Sequence, residues 1–125
     1  MRKIAFFAAF AAMTVAPAAQ AMSVGEFLDR AHKLQAKGIF APLYEDFKIL
    51  KAEMKGITRG YRAELAAVQS AGRQPHSCPP PKGTPAAKIK PEELLGELDK
   101  IPVAQRGMSM KTAFYAFMKK RFPCR

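Results

Sequence analysis

The chain has 125 residues, 21 of them lysine or arginine against 10 acidic residues, and it carries a formal net charge of +11. A chain of this length is the size of one domain with a modest core, which a covalent staple would help to stabilise. The basic excess favours anionic partners, such as an acidic protein, a lipid headgroup surface or nucleic acid, although solubility alone also explains it.

The first 21 residues have the pattern of a secretory signal peptide. Residues 2–3 are basic, residues 4–16 are nearly all apolar, and Ala19-Gln20-Ala21 supplies the small residues at which signal peptidase cleaves. The apolar run is too short to span a bilayer comfortably. A buried first helix or a membrane anchor is the alternative. We expect cleavage after Ala21 and a single helical domain over residues 22–125.

Export fixes the compartment and narrows the choice of partners. The mature chain would lose two basic residues and no acidic one, so its net charge would be +9. We expect it in the periplasm if the source is a Gram-negative bacterium, and export argues against a nucleic-acid partner. Peripheral contact with an anionic membrane surface is compatible with this charge.

An oxidising compartment allows a disulfide between Cys78 and Cys124, the two cysteines of the sequence. Cys124 lies one residue before the end of the sequence, so the bond would clip the last helix to the middle of the chain. In the chain-entropy model this closure stabilises the fold by about 4 kcal/mol. A metal site that adds His76 to the two cysteines is the alternative, although structural zinc takes four ligands.

The first predicted helix begins at Ser23, where Glu26 three residues later completes a capping box. Apolar residues then recur every three or four positions along one face. Gly38 is expected to end the helix, with Ile39 and Phe40 in hydrophobic contact behind its last turn.

The second predicted helix begins near Pro42, which suits a first helical position, and its apolar stripe runs towards Ser70. Gly56 and Gly60 interrupt this helix and form, with neighbouring alanines, a strip of small residues. We expect another helix to pack closely against the strip, and a kink is the alternative.

Residues 73–91 are rich in proline and show no periodicity, which predicts a stiff, extended spacer pinned by Cys78. The third helix begins near Pro91 and stops at Pro102, and Ser109 caps the fourth. No segment alternates with the period of a strand for long enough to predict one. The sequence therefore predicts an all-α fold: a small four-helix domain with a proline-rich loop and one disulfide.

The residues that carry catalysis in other proteins are not arranged for it in this sequence. His32 lies off the apolar face of the first helix, and His76 lies in the proline-rich loop. Glu92 and Glu93 are adjacent and suit the dipole at a helix start rather than an acid–base pair. The sequence contains no phosphate-binding loop and no hydrolase motif. We expect no enzymatic activity, no cofactor and no metal.

The densest basic cluster is formed by Lys119, Lys120 and Arg121 at the end of the fourth helix. Cations suit the dipole at a helix C-terminus, so a solvated helix end is one interpretation. If the chain docks onto a partner through charge, these three residues are the first candidates for the partner-binding patch.

Several motifs follow one another in an order that is typical of a known family. They are Gly60-Tyr61 in the long helix, the Cys78-Pro79 step, the segment Ile-Lys-Pro-Glu-Glu-Leu-Leu at residues 89–95, a turn near Pro102 and the final Phe122-Pro123-Cys124. Over roughly residues 44–124 the chain resembles the Rap/Tai family of immunity proteins, which protect bacteria against type VI secretion amidases.

The resemblance implies a helical periplasmic protein that binds a peptidoglycan amidase effector and blocks its active site. It also implies a homodimer, for which the stripe of the second helix would suit the interface. Family members often carry a cysteine two residues before the Gly-Tyr pair, where this chain has Thr58. Its disulfide pattern can therefore differ from theirs.

The alternative function is that of a general cationic envelope-binding protein or an HdeA-like periplasmic chaperone. A compact helical design with a single disulfide and an excess of basic residues favours it. Acid chaperones need acidic groups that titrate at low pH, and the 10 acidic residues of this chain make a poor switch.

Overall fold

The computed structural model describes residues 21–125, so the predicted signal peptide falls almost entirely outside the described residues. Four α-helices follow in chain order: α1 (Val24–Gln35), α2 (Glu45–Ser70), α3 (Pro91–Asp99) and α4 (Met110–Arg121). Three short 3₁₀ turns connect them, at Gly38–Leu43, Pro85–Ala87 and Val103–Gln105. The described part of the chain contains no strand, only one isolated bridge. The all-α prediction is confirmed.

The starts of α1 and α4 are fastened to each other. Ser23 and Ser109 cap the two helices as the sequence predicts, each accepting a backbone N–H bond of 3.1 Å on its hydroxyl oxygen. The same two serines form the isolated bridge, and backbone bonds of 3.0 Å and 2.8 Å on either side of it join residue 24 to 108 and residue 110 to 22. The first and last helices therefore leave one common point.

The core lies where α1 packs against the other three helices. Its side chains recur at helical spacing, and burial of each large apolar one contributes about 1.5–3 kcal/mol. The α1 members are Val24, Phe27, Leu28 and Ala31, and those of α2 are Leu50, Ile57, Tyr61 and Leu65. Those of α3 are Leu94 and Leu98, and those of α4 are Met110, Ala113, Phe114, Phe117 and Met118.

The predicted disulfide is present and ties the proline-rich segment to the end of α4. The Cα atoms of Cys78 and Cys124 lie 5.0 Å apart, and the Cys78 N–H donates a 2.8 Å bond to the Phe122 carbonyl. Next to this clasp, Ser77 is completely buried and its hydroxyl is hydrogen-bonded to that of Tyr61 on α2. The proline-rich segment is thus held on two helices at once.

The prediction for the start of α2 is wrong by three residues. Pro42 lies inside a 3₁₀ turn, and α2 begins at Glu45 after the extended residue Tyr44. The extended conformation of Tyr44, with φ −92° and ψ 147°, separates this turn from the helix and sets the start of α2 at Glu45. The expected contact behind α1 also does not form, because Ile39 is 88% exposed and Phe40 is 59% exposed.

The strip of small residues on α2 does not receive another helix within residues 21–125. A Cβ atom built on Gly56 or Gly60 would meet nothing within 4 Å. The apolar stripe of α2 already faces the core, so the glycines are left on the outer side of the helix. The expectation of close packing was wrong for the described chain.

The disulfide should carry a large share of the stability of so small a domain. Replacing both cysteines (Cys78→Ser with Cys124→Ser) is expected to lower the free energy of unfolding by about 4 kcal/mol, because the unfolded chain regains loop entropy. Urea denaturation followed by circular dichroism measures this loss. The reduced wild-type protein is the matched control and should unfold with the double variant. A loss below about 1 kcal/mol would contradict the entropic role of the clasp.

The Tyr61–Ser77 pair allows a second test of how the proline-rich segment is held. Ser77→Ala leaves the buried Tyr61 hydroxyl without its partner and is expected to cost about 1–3 kcal/mol of unfolding free energy. Adding Tyr61→Phe removes that hydroxyl and should recover much of the loss. A double-mutant cycle by denaturation measures the coupling, with the exposed Ser70→Ala as control. Strictly additive losses would argue against the pairing.

Candidate functional site

The residues that the sequence offered for chemistry lie apart on the surface. His32 is exposed on α1, with Nε2 3.1 Å from the Asp99 carboxylate at the end of α3. His76 is exposed in the proline-rich segment, where its ring lies 6.0 Å from that of Tyr115. Among residues 21–125 no group of three or more His, Cys, Asp and Glu side chains could hold a metal ion. The disulfide takes up both cysteines of the alternative metal site.

Glu93 and Asp46, which lie in the first turns of α3 and α2, each form an ion pair with an arginine of another helix. Glu93 lies in the first turn of α3 and pairs with Arg121, while Glu92 is exposed. Asp46 in the first turn of α2 pairs with Arg30, which also binds Glu26 on its own helix at 3.0 Å. These contacts join neighbouring helices, and none of them places two carboxyl groups across a cleft.

The basic cluster at the end of α4 is partly neutralised by α3. Lys120 Nζ lies 2.8 Å from the Glu97 carboxylate, and Arg121 Nε lies 2.6 Å from that of Glu93. Lys119 is exposed and makes no ion pair with any described residue. Exposed pairs of this kind are screened by solvent and contribute little to stability, but they hold the charge of two of the three candidates against α3.

Among the carboxylates on this surface, that of Glu97 has the most strongly shifted pKa. Hydrogen bonds from Lys100 and then Lys120 lower its pKa from 4.5 to about 2. Lys100 Nζ lies 2.6 Å away on one oxygen, and Lys120 approaches the other. The charged form is therefore favoured in the folded chain down to low pH.

Tyr61 and Tyr115 have buried hydroxyl groups near the proline-rich segment, and the sequence assigned no chemical role to either of them. Burial raises the pKa of Tyr61, against the smaller opposing effect of its bond to Ser77. The Tyr115 hydroxyl is buried without a partner that meets hydrogen-bond geometry among the described residues. Burial, followed by the nearby Glu64 carboxylate, raises its pKa as well. Both phenols stay protonated at neutral pH, so neither provides a base.

The turn after α1 carries the largest exposed apolar side chains of the described region. Ile39, Phe40 and Leu43 are 88%, 59% and 79% exposed, and Tyr44 follows them with Lys37 Nζ 4.9 Å from its ring. We call residues 39–44 the apolar turn. This exposure was not expected from the sequence, which predicted local packing for Ile39 and Phe40 and a helix from Pro42 onwards. The proline within the run was the available signal, because proline is typical of turns.

A groove opens between α2 and α3, which both pack on α1. Its volume is about 530 Å³, and its walls are mostly apolar side chains of all four helices. The apolar lining residues are Phe27, Ala31, Leu34, Phe47, Leu50, Met54, Ile89, Pro91, Leu94, Leu95 and Phe114. Two lysines also line the groove: Lys51 of α2 and Lys90, the residue before α3.

A second cavity of about 420 Å³ adjoins the groove and shares Thr58, Ile89 and Phe114 with it. We call it the cationic pocket, because Lys55, Arg59, Arg62 and Lys82 all line it. None of these four makes an ion pair in the part of the chain that the structure describes. The described lining of both cavities includes no Asp or Glu.

No family model matches this chain, and no curated protein or solved structure is similar to it.

Within residues 21–125, none of the helices combines the length and the apolar character needed to cross a bilayer.

The lowered pKa of Glu97 predicts a loss of stability in acid. Because its pKa in the fold is about 2 rather than 4.5, its contribution is present above pH 4.5 and is lost as the pH falls towards 2. Glu97→Gln should therefore flatten the pH dependence of the melting temperature in this window. Glu92→Gln, which removes an exposed carboxylate on the same helix, is the matched control. Identical pH profiles for wild type and Glu97→Gln would contradict the assignment.

Proposed function

We propose that this chain is an exported, non-catalytic binding protein of the immunity type, which inhibits a peptidoglycan amidase effector by covering its active site. The observation that carries the proposal is the apolar turn. Large apolar side chains that stay exposed on a small domain are typical of a surface that a partner covers. The helical fold and the pairing of Cys78 with Cys124 agree with the motifs on which the resemblance to the Rap/Tai family rests.

The shape of the apolar turn suits this mode of action. An active site is a concave cleft, so its inhibitor needs a convex element to enter it. The turn presents Phe40 and Tyr44 beside two aliphatic side chains, and aromatic anchors commonly dominate the energy of protein interfaces. Lys37 lies next to them and offers a positive rim to an acidic partner.

The basic cluster and the second helix have smaller roles in this proposal than those predicted for them from the sequence. Lys119 is the member of its cluster that we propose for partner contact, since Lys120 and Arg121 are paired with α3. The α2 stripe faces the core, so we propose no homodimer through it. A homodimer would have to use an outer surface. If it used the apolar turn, dimer formation would compete with binding of the amidase.

A general cationic envelope-binding protein is the second candidate, and the cationic pocket is the observation that favours it. This function predicts salt-sensitive binding of the protein to vesicles of anionic phospholipid, because exposed charges are screened at high ionic strength. The amidase proposal predicts inhibition that persists when no lipid is present. The two candidates are therefore separated by one pair of assays.

Two substitutions in the apolar turn test the amidase proposal. Phe40→Ser with Leu43→Ser should weaken inhibition of a peptidoglycan amidase encoded beside this gene by about thirtyfold or more, because interface anchors are worth about 2 kcal/mol. Stability should change by less than about 0.5 kcal/mol, since both side chains are exposed. The assay is the release of cell-wall peptides with purified components.

Val103→Ser is the matched control, because Val103 is 79% exposed in a different turn. It should inhibit like the wild type. Absence of inhibition by the wild-type protein, or equal inhibition by all three proteins, would refute the role of the turn.

A further inference from the structure

The groove and the cationic pocket are adjacent, and the apolar turn contributes to neither. Thr58, Ile89 and Phe114 line both cavities, whereas no residue from 39 to 44 lines either. A ligand long enough to cross these three shared residues would contact both cavities at once. Any function of these cavities is separate from amidase inhibition and does not depend on it.

The two cavities differ sharply in chemistry. The groove offers apolar side chains of all four helices, which favours a hydrocarbon ligand because burial of apolar surface is the main driving force for binding there. The cationic pocket offers two lysines and two arginines with no acid among its described lining. A hydrocarbon alone would leave the four charges unused, and a small anion alone would leave the groove empty.

We propose that the groove and the cationic pocket together bind a single-chain anionic amphiphile, whose tail lies in the groove and whose carboxylate or phosphate head lies in the pocket. Both volumes fall in the range of about 300–1,000 Å³ that is usual for small-molecule sites. Charge complementarity selects the head, and the apolar lining selects the tail.

The size of the groove favours a thin chain over a helix of a partner protein. An α-helix with its side chains is about 10 Å wide. A groove of about 530 Å³ would therefore hold little more than one helical turn, whereas a hydrocarbon chain needs no such width. A hydrocarbon chain also brings no backbone polar groups, which the apolar walls could not satisfy.

Two residues define how the ligand would be held. Arg62 Nη1 donates a 3.2 Å bond to the Pro80 carbonyl, which fixes one cation against the proline-rich segment. Thr58 lies where the groove meets the pocket, and its hydroxyl is already hydrogen-bonded to the Met54 carbonyl at 2.8 Å. A bulky side chain at position 58 would therefore occupy space at the border of both cavities without breaking a core contact.

Isothermal titration calorimetry with the purified, disulfide-bonded protein tests the proposal. The probes are dodecanoate, tetradecanoate and hexadecanoate below their micelle-forming concentrations, dodecyl phosphate, dodecanol and inorganic phosphate. We expect saturable binding of one molecule, tightened by up to about fourfold for each CH₂ added until the groove is full. Dodecanoate against dodecyl phosphate decides which head is preferred, and dodecanol should bind more weakly than both.

Two pairs of variants locate the site. Thr58→Trp should abolish binding of the long-chain probes, while Ala66→Trp on the exposed side of α2 should not change it. Lys55→Gln with Arg59→Gln should weaken binding of the anionic probes by about three- to tenfold and leave dodecanol unaffected. Lys33→Gln with Lys48→Gln removes the same charge outside both cavities and should have no effect.

Other outcomes would overturn the proposal. Binding of inorganic phosphate without any dependence on chain length would leave a simple anion site. Binding to anionic vesicles without saturable binding of single amphiphiles would indicate a membrane surface. A dimer that Thr58→Trp dissociates, with no binding of amphiphiles, would show that a second copy fills the groove. Because amidase inhibition is measured through the apolar turn, failure here leaves that proposal unaffected.

Discussion

The structure depends on the clasp between Cys78 and Cys124. The proline-rich segment has no periodic apolar face with which to pack, so burial alone could not hold it on the helices. The disulfide fixes it at the end of α4, and the Tyr61–Ser77 bond fixes it on α2. Everything that this segment contributes follows from that attachment, including Lys82 in the cationic pocket.

The positive charge of the chain is not spread evenly over its surface. On the side where α3 faces the end of α4, the carboxylates of Glu93 and Glu97 take up the neighbouring cations. Around the cationic pocket no acid of the described lining does so. The acidic residues neutralise the basic residues next to them on α4. The net positive charge therefore remains around the cationic pocket, whose described lining contains no acidic residue. An unpaired cluster of this kind attracts anions, whereas the paired one mainly holds two helices together.

Both the groove and the apolar turn result from the way in which α1 packs against the other helices. Because α1 packs on all three other helices, α2 and α3 are both attached to it and leave a gap between them. The connection from α1 to α2 must then turn back over a short distance, and Gly38, with a φ of 55°, turns the chain away from α1. Its apolar side chains are left on the outside. A domain this small cannot cover both the groove and the apolar turn with its own core.

The sequence by itself determined what is set by near neighbours in the chain. The serine caps at residues 23 and 109 and the proline at the start of α3 were predicted correctly, because a cap or a first-turn proline acts within three residues. The pairing of two cysteines needed only an oxidising compartment.

The tertiary structure alone decided the remaining features. The outward position of the glycines on α2, the neutralisation of Lys120 and Arg121 by α3, and the meeting of groove and cationic pocket all depend on which faces of distant segments come together. The periodicity of α2 shows which of its faces is apolar, but not which neighbour covers the other face. That choice is made by packing between residues that are far apart in the chain.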